Sequence, residues 1–197
     1  MKEPDVVVPL SIAEELARRI ARARLPRGKL LKDFDLSGQQ SFTARRMDEL
    51  AQGTFLDRSE NLLIFGNPGS GKTHLAAALG LHWCLIGRSV RFSKATVLAE
   101  RVTTPFSIRH LDRFEALIVD DFSGAFHNEK CEALLDLFDH RCQRRSVIFT
   151  STTDFHKWDA LLKYKSGAVI DRLLQSCNIL QLDTHRCSYK PVRLMQH

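Results

Sequence analysis

The sequence predicts an α/β fold, a parallel sheet with helices on both faces. Three observations point to it. Short apolar runs alternate with helix-patterned segments along most of the chain, the alternation that builds a parallel sheet. The runs "NLLIFG", "ALIVDD" and "SVIFTST" are apolar at consecutive positions, as strands covered on both faces require. The first of them runs directly into a glycine-rich loop and then into strong helix formers. With 197 residues, 44% of them hydrophobic, the chain has the material for one domain with a real core.

At the N-terminus, "MKEPDVVVPLS" has a short apolar run but no small-residue cleavage site, so no signal peptide is expected. No stretch approaches the roughly 18 apolar residues of a membrane span. The expectation is a soluble cytoplasmic protein with no membrane partner.

The segment "SIAEELARRIARARLP" starts with Ser11 and has Glu14 three residues on, the spacing of a capping box. Ile12, Leu16 and Ile20 form one apolar stripe, with Ala13, Ala17 and Ala21 beside it. Arg18, Arg19, Arg22 and Arg24 are expected on the opposite face, and Pro26 and Gly28 to end the helix. Lys29 and Lys32 prolong the basic tract, with no acid from Arg18 to Lys32. Two readings stay open: a solvated face, or a helix that contacts nucleic-acid phosphates through Arg18, Arg19, Arg22 and Arg24. The net charge of +6 permits a polyanionic partner without requiring one. Residues 1–32 are expected to form this helix and its linker, and 33–197 the core.

A loop and a helix from about Thr43 to Ala51 come next. The expected order is then a strand at Asn61–Gly66, the helix "KTHLAAALGLHWCL" and the strand "SVRFSK". A short helix at about Ala95 to Arg101 precedes the strand Ala116–Asp121 and the long helix "NEKCEALLDLFDHRCQR". The strand Ser146–Thr152 is followed by short helices around "HKWDALL" and "GAVIDRLLQS", and "NILQLDT" is the last strand.

The five cysteines form no C-x-x-C pair, which suits reduced thiols in a cytosolic core. Two His-x-Cys pairs, His140/Cys142 and His185/Cys187, offer a remote zinc alternative. The first lies in a helix that reads well without metal.

The loop after the first strand carries the chemistry. Gly66-Asn67-Pro68-Gly69-Ser70-Gly71-Lys72-Thr73, with His74 next, fits G-x-x-x-x-G-K-[ST] in full. It lies after a buried strand and opens a helix, the context such a loop needs. The glycines let backbone N–H groups wrap a phosphate, and the helix N-terminus adds partial positive charge. Lys72 is expected to reach the β- and γ-phosphates of a bound ATP, and the Thr73 hydroxyl to reach Mg²⁺. The second half of the site is an acid at a strand tip. In "ALIVDD", Asp120 is expected to hold Mg²⁺ and Asp121 to orient or deprotonate the attacking water. The strand "SVIFTST" is expected between these two, its end from Thr150 to Thr152 facing the γ-phosphate. Arg172, in "VIDRLL", could reach a neighbouring subunit's phosphate as an arginine finger, or form a surface salt bridge with Asp171 or another acid.

From about Ile20 to Tyr189 these pieces resemble the IstB-like ATP-binding proteins of insertion sequences, relatives of the DnaC-like helicase loaders in the AAA+ superfamily. The resemblance rests on "ARLPRGKLLKDFDL", "ENLLIFGNPGSGKTHLAAALG", "ALIVDDF", "RRSVIFTST" and "VIDRLLQSCNILQL". It implies a P-loop NTPase core of AAA+ type without a separate lid domain. It also implies assembly into a homo-oligomer with ATP at subunit boundaries, DNA in or around the assembly, and help to a transposase. A replicative helicase loader is the alternative, and a weakly hydrolysing DNA-binding scaffold is another. Thr152 stands where the family usually has Asn, and a threonine reaches less far, so slow turnover is expected. Asp121 stands where Glu is frequent. The span between "SVRFSK" and "ALIVDD" is shorter than the family's. Of the family's N-terminal partner-binding region, only the last helix, Ser11 to Leu25, is expected here. "CSYKPVRL" is similar to the family's closing segment, with Lys190 at the Arg position.

Overall fold

The computed structural model describes residues 10–37, 39, 42–122, 131–158 and 167–183. Among the described residues five strands form one parallel sheet in the order β2-β3-β4-β1-β5. They are β1 (Asn61–Gly66), β2 (Val90–Lys94), β3 (Ala116–Asp120), β4 (Ser146–Ser151) and β5 (Cys177–Leu182). The helices are α1 (Leu10–Ala23), α2 (Ala44–Gln52), α3 (Thr54–Asp57), α4 (Lys72–Leu85), α5 (Ala95–Arg101), α6 (Pro105–Leu111), α7 (Cys131–Arg141) and α8 (Gly167–Gln175).

The period-2 geometry of the strands divides the core into two layers. Leu62 and Ile64 of β1, Ile118 of β3 and Ile148 of β4 point to one face, with Leu75 and Leu79 of α4 and residues of α1 to α3. Leu63, Leu117, Val119, Val147 and Phe149 point to the other, with α5, α7 and α8. Leu62, Leu63 and Ile64 are completely buried, each worth about 1.5–3 kcal/mol relative to exposure. On the second face Phe122, Phe138, Phe149 and Trp158 pack edge-on or tilted, with ring centroids 4.9 to 6.0 Å apart. Gly80, in mid-α4, has no room for a side chain: a Cβ there lies 2.6 Å from Ile118 Cδ1 and 2.9 Å from Leu25 Cδ2. The absence of a side chain lets α4 lie close on the sheet.

Two buried polar side chains pin these layers. Asn61 donates to Leu173 O at 2.9 Å and accepts from Val147 N at 2.8 Å, tying β1 to α8 and β4. Arg141, fully buried at the end of α7, donates to Leu111 O (2.8 Å), Phe114 O (2.9 Å) and Ser146 O (2.9 Å). Burial pushes its guanidinium down to about 10, against the attraction of Asp112.

Several expectations change. The helix at the N-terminus already includes Leu10, so Ser11 lies inside it and Glu14 pairs with Arg18 at 3.2 Å instead of serving a capping box. It ends at Ala23, three residues before Pro26, because Arg24 takes a left-handed φ of 54°. The arginines do not form one acid-free face. Arg18 and Arg19 are paired with Glu14 and Glu15 one turn back, and Arg19 turns inward to donate to Cys84 O at 3.2 Å. Helices α3 and α6 were not expected. Asp121 lies just past β3, not in it. Around "HKWDALL" a 3₁₀ turn at Phe155–Lys157 leads into a helical Trp158, and the rest of that expected helix lies outside the described residues. The start of "NEKC", the pair His185/Cys187 and "CSYKPVRL" lie outside the described residues. His140 approaches Asp112 at 3.5 Å, and Cys84, Cys142 and Cys177 are free thiols. Among the described residues no helix is long and apolar enough to cross a membrane.

Candidate nucleotide site

Open parallel sheets bind ligands beyond the carboxyl ends of their strands. The motif residues gather at that end here. β1 ends at Gly66, the loop follows, and α4 begins at Lys72. Gly66, Gly69 and Gly71 have φ of 154°, 82° and 91°. Two of these positions also exclude a side chain. A Cβ on Gly71 lies 2.9 Å from Phe34 Cε2, and one on Gly66 collides with Leu182 O. Pro68 and Asn67 are exposed at the loop's outer turn, where Asn67 O accepts from Ser70 N at 3.2 Å.

The cradle has the unmet polar groups that an anion satisfies. No side chain caps the start of α4. Ser70 Oγ is buried in the loop without a hydrogen-bond partner among the described residues. Lys72 Nζ folds back onto the loop, donating to Gly66 O and Asn67 O, each at 2.8 Å. Burial lowers its pKa, opposed by the charges of Asp121 and then Asp120. A buried ammonium beside two carboxylates and an uncapped helix start suits a polyphosphate. His74 is aimed away from the loop. Its Nε2 lies 3.0 Å from Leu30 O and its ring meets Phe34 edge-on at 5.7 Å, so it holds the lead-in segment against α4.

β4 lies between β1 and β3 as expected. That order joins the loop to the strand-tip acids through hydroxyls. Thr73 Oγ1 donates to Asp120 Oδ1 at 2.8 Å, and Thr150 Oγ1 donates to the same oxygen at 2.7 Å. Thr150 Oγ1 in turn accepts from Asp121 N at 2.8 Å. Asp120 is therefore buried and fixed, 4% exposed, while Asp121 turns outward at φ 56°. A non-glycine residue in this region is uncommon and clusters at functional sites. Thr152 follows β4 and lines a cleft of about 670 Å³ with Gly66, Asn67, Lys157 and Asp183.

Arg172 is not brought to this loop. It lies on α8 and pairs with Asp139 of α7 at 2.5 Å; that partner, not Asp171, holds it. Arg18, Arg22 and Arg24 are exposed and away from the loop, on the side of α1 and β2. The relay through Thr150, the orphan hydroxyl of Ser70 and the position of Lys157 were missed in sequence. The hydroxyls flanking strand ends were the only signal for the first.

A parallel sheet in this order, with a phosphate-cradling loop on β1 and an acid on β3 linked to it through Thr73, defines a P-loop nucleotide-binding fold of AAA+ type. Solved structures agree: DnaI superposes with a TM-score of 0.67 at 18% identity, over 84% of this chain and 96% of that one. The replication initiator DnaA, bound to AMPPCP and single-stranded DNA, gives 0.66 at 18% identity, over 82% of this chain and 52% of that one. The chain belongs to the IstB-like ATP-binding protein family, whose sequence profile matches residues 12–191. An insertion-sequence ATP-binding protein of Sinorhizobium fredii is 30% identical over 85% of this chain and 60% of its own length. The insertion sequence IS21 ATP-binding protein of Pseudomonas aeruginosa is 31% identical over 83% of this chain and 66% of its own length. The chain thus spans about two thirds of these relatives or less.

Proposed function

We propose that the chain binds ATP with Mg²⁺, hydrolyses it, and uses the cycle to assemble on DNA as a homo-oligomer that assists a transposase. The observation that supports this best is the Thr73–Asp120–Thr150–Asp121 hydroxyl relay beside an uncapped, glycine-lined loop. In this reading Lys72 leaves the carbonyls of Gly66 and Asn67 for the β- and γ-phosphates, a stronger charge-assisted contact. The loop N–H groups and Ser70 take the remaining phosphate oxygens. Thr73 and Asp120 supply the oxygen ligands for Mg²⁺, which neutralises charge developing on the phosphate oxygens when bound. Asp121, held outward by its left-handed backbone, orients the attacking water and accepts its proton as the water oxygen bonds to the γ-phosphorus and ADP departs. In this reading Thr152, which lines the cleft beside Gly66 and Asn67, offers its hydroxyl to the γ-phosphate. Arg172 acts in trans, released from Asp139 when a neighbouring subunit presents its phosphate.

The test is ATP turnover with and without duplex DNA, together with particle size in the presence of an ATP analogue. DNA-stimulated turnover and nucleotide-dependent assembly support the reading, and a monomer indifferent to both contradicts it. The short reach of Thr152 supports a second reading, a scaffold that binds ATP and DNA but barely turns over. Assembly without DNA-stimulated hydrolysis distinguishes it.

A further inference from the structure

Beyond the tip of β4 the chain is held turn by turn. Ser151 Oγ accepts from Thr153 N at 3.0 Å and donates to Thr153 O at 2.7 Å. Asp154 Oδ1 accepts from His156 N at 3.0 Å, and Asp154 O accepts from Lys157 N at 3.0 Å. Local bonds of this kind fix a connection that has no strand or long helix to hold it. Trp158 then anchors the segment. It is fully buried, donates from Nε1 to Thr153 O at 3.3 Å, and packs edge-on against Phe122 with ring centroids 4.9 Å apart. Phe122 directly follows Asp121, so the backbone at Lys157 is tied to the turn that presents that acid.

Lys157 is exposed, and it lines the cleft of about 670 Å³ whose other walls include Gly66 and Asn67 of the loop and Thr152 at the end of β4. Asp154 and Asp183 share the lining, yet among the described residues neither forms an ion pair with the Lys157 ammonium. Packing does not call for a lysine here, since Trp158 supplies the buried anchor and Ser151 and Asp154 supply the turn bonds. Charge does call for one. Lys72 is the loop's one cation, and it stands beside Asp120 and Asp121. A triphosphate adds more negative charge than one ammonium and a divalent ion neutralise, and during transfer that charge spreads over the γ-phosphate oxygens. Arg172 is held on Asp139 and is not brought to the loop. Thr152 is neutral and short.

We propose that Lys157 is a second phosphate-binding cation of this site, its ammonium holding the γ-phosphate oxygens of ATP from the cleft, so that the site separates ATP from ADP. The inference rests on the reading that the loop binds ATP, and it adds the residue that recognises the third phosphate. A lysine suits the place: it is a point charge on a flexible stem and reaches past the short hydroxyl of Thr152. Its anchored backbone, packed through Trp158 on Phe122, keeps that charge in register with Asp121.

The test is isothermal titration of the full chain with a non-hydrolysable ATP analogue and, separately, with ADP, each with Mg²⁺. The variants are Lys157→Met, which keeps the stem and removes the charge, and Lys157→Arg, which keeps the charge; thermal melting verifies folding at this exposed position. Lys157→Met is expected to lose at least about tenfold in analogue affinity while ADP binds as it does to wild type. Lys157→Arg is expected to keep most of the preference for the analogue. The loss is expected to persist in an Arg172→Ala background, because Lys157 acts on the nucleotide of its own chain. Wild-type affinity of Lys157→Met for the analogue, an equal loss for the analogue and ADP, or a loss that vanishes in the Arg172→Ala background overturns the role of Lys157 and leaves the ATP reading standing. A folded wild-type chain that binds neither nucleotide overturns both.

Discussion

Replacing Thr150 by Val tests the relay that joins the two halves of the nucleotide site. Valine is close to threonine in shape, so at this buried position the change exchanges a hydroxyl for a methyl. Two hydrogen bonds go. The one donated to Asp120 Oδ1 at 2.7 Å ends on a carboxylate and is worth about 1.5–3 kcal/mol; the one accepted from Asp121 N at 2.8 Å is worth about 1 kcal/mol. The added methyl returns about 0.8 kcal/mol. The net loss is about 2–3 kcal/mol, which at this chain length lowers Tm by roughly 4–12 °C. The same change frees the backbone at Asp121, whose left-handed turn is held by that bond. ATP turnover is therefore expected to fall more than nucleotide affinity. Thermal melting by circular dichroism and a phosphate-release assay read the two effects. A variant with wild-type Tm and wild-type turnover would refute the relay.

Other substitutions probe single roles. Asp121→Asn keeps the shape but removes the proton acceptor, so the ATP analogue still binds while turnover drops about 10²–10⁴-fold; phosphate release at the wild-type rate rules Asp121 out as the base. Arg172→Ala mixed with Lys72→Ala is expected to recover part of the activity that neither has alone, since some boundaries pair an intact loop with an intact arginine. Full activity of Arg172→Ala alone removes the finger. Arg141→Ala removes a buried guanidinium and its hydrogen bonds to three main-chain carbonyls and is expected to cost about 3–5 kcal/mol, read as a shifted urea midpoint; a midpoint within error of wild type contradicts that pinning role.

The nucleotide loop was legible because its information is local. Glycine, Lys72 and Thr73 follow one another at the end of an apolar run, and each residue type has one reason to be there. The strand-tip acids were legible for the same reason, since four apolar residues lead into Asp120. What was not legible depends on distant segments meeting. Thr150 joins Asp120 and Asp121 only because β4 inserts beside β3, and Asn61 pins β1 to Val147 and Leu173 across long stretches of chain. Helix α6 was missed because it is seven residues long, too short for a periodic signal. Its start was written in Thr104-Pro105 and Ser107, a capping box with proline at the first turn. The sequence left α1 open between a solvated face and a phosphate-contacting one, and the pairing of two of its arginines went unread. Glu14 and Glu15 stand four residues before Arg18 and Arg19, the spacing that pairs them.

The central claim is that Gly66 to Thr73 hold a nucleoside triphosphate through Lys72. Isothermal titration of the wild-type chain and Lys72→Ala with a non-hydrolysable ATP analogue and Mg²⁺ tests it most directly. The account predicts saturable binding of one analogue per chain by the wild type and a loss of at least about tenfold in affinity in the variant, as a charge-assisted contact of about 1.5–3 kcal/mol disappears. Equal affinity in the two proteins, or no binding by a folded wild-type chain, contradicts it.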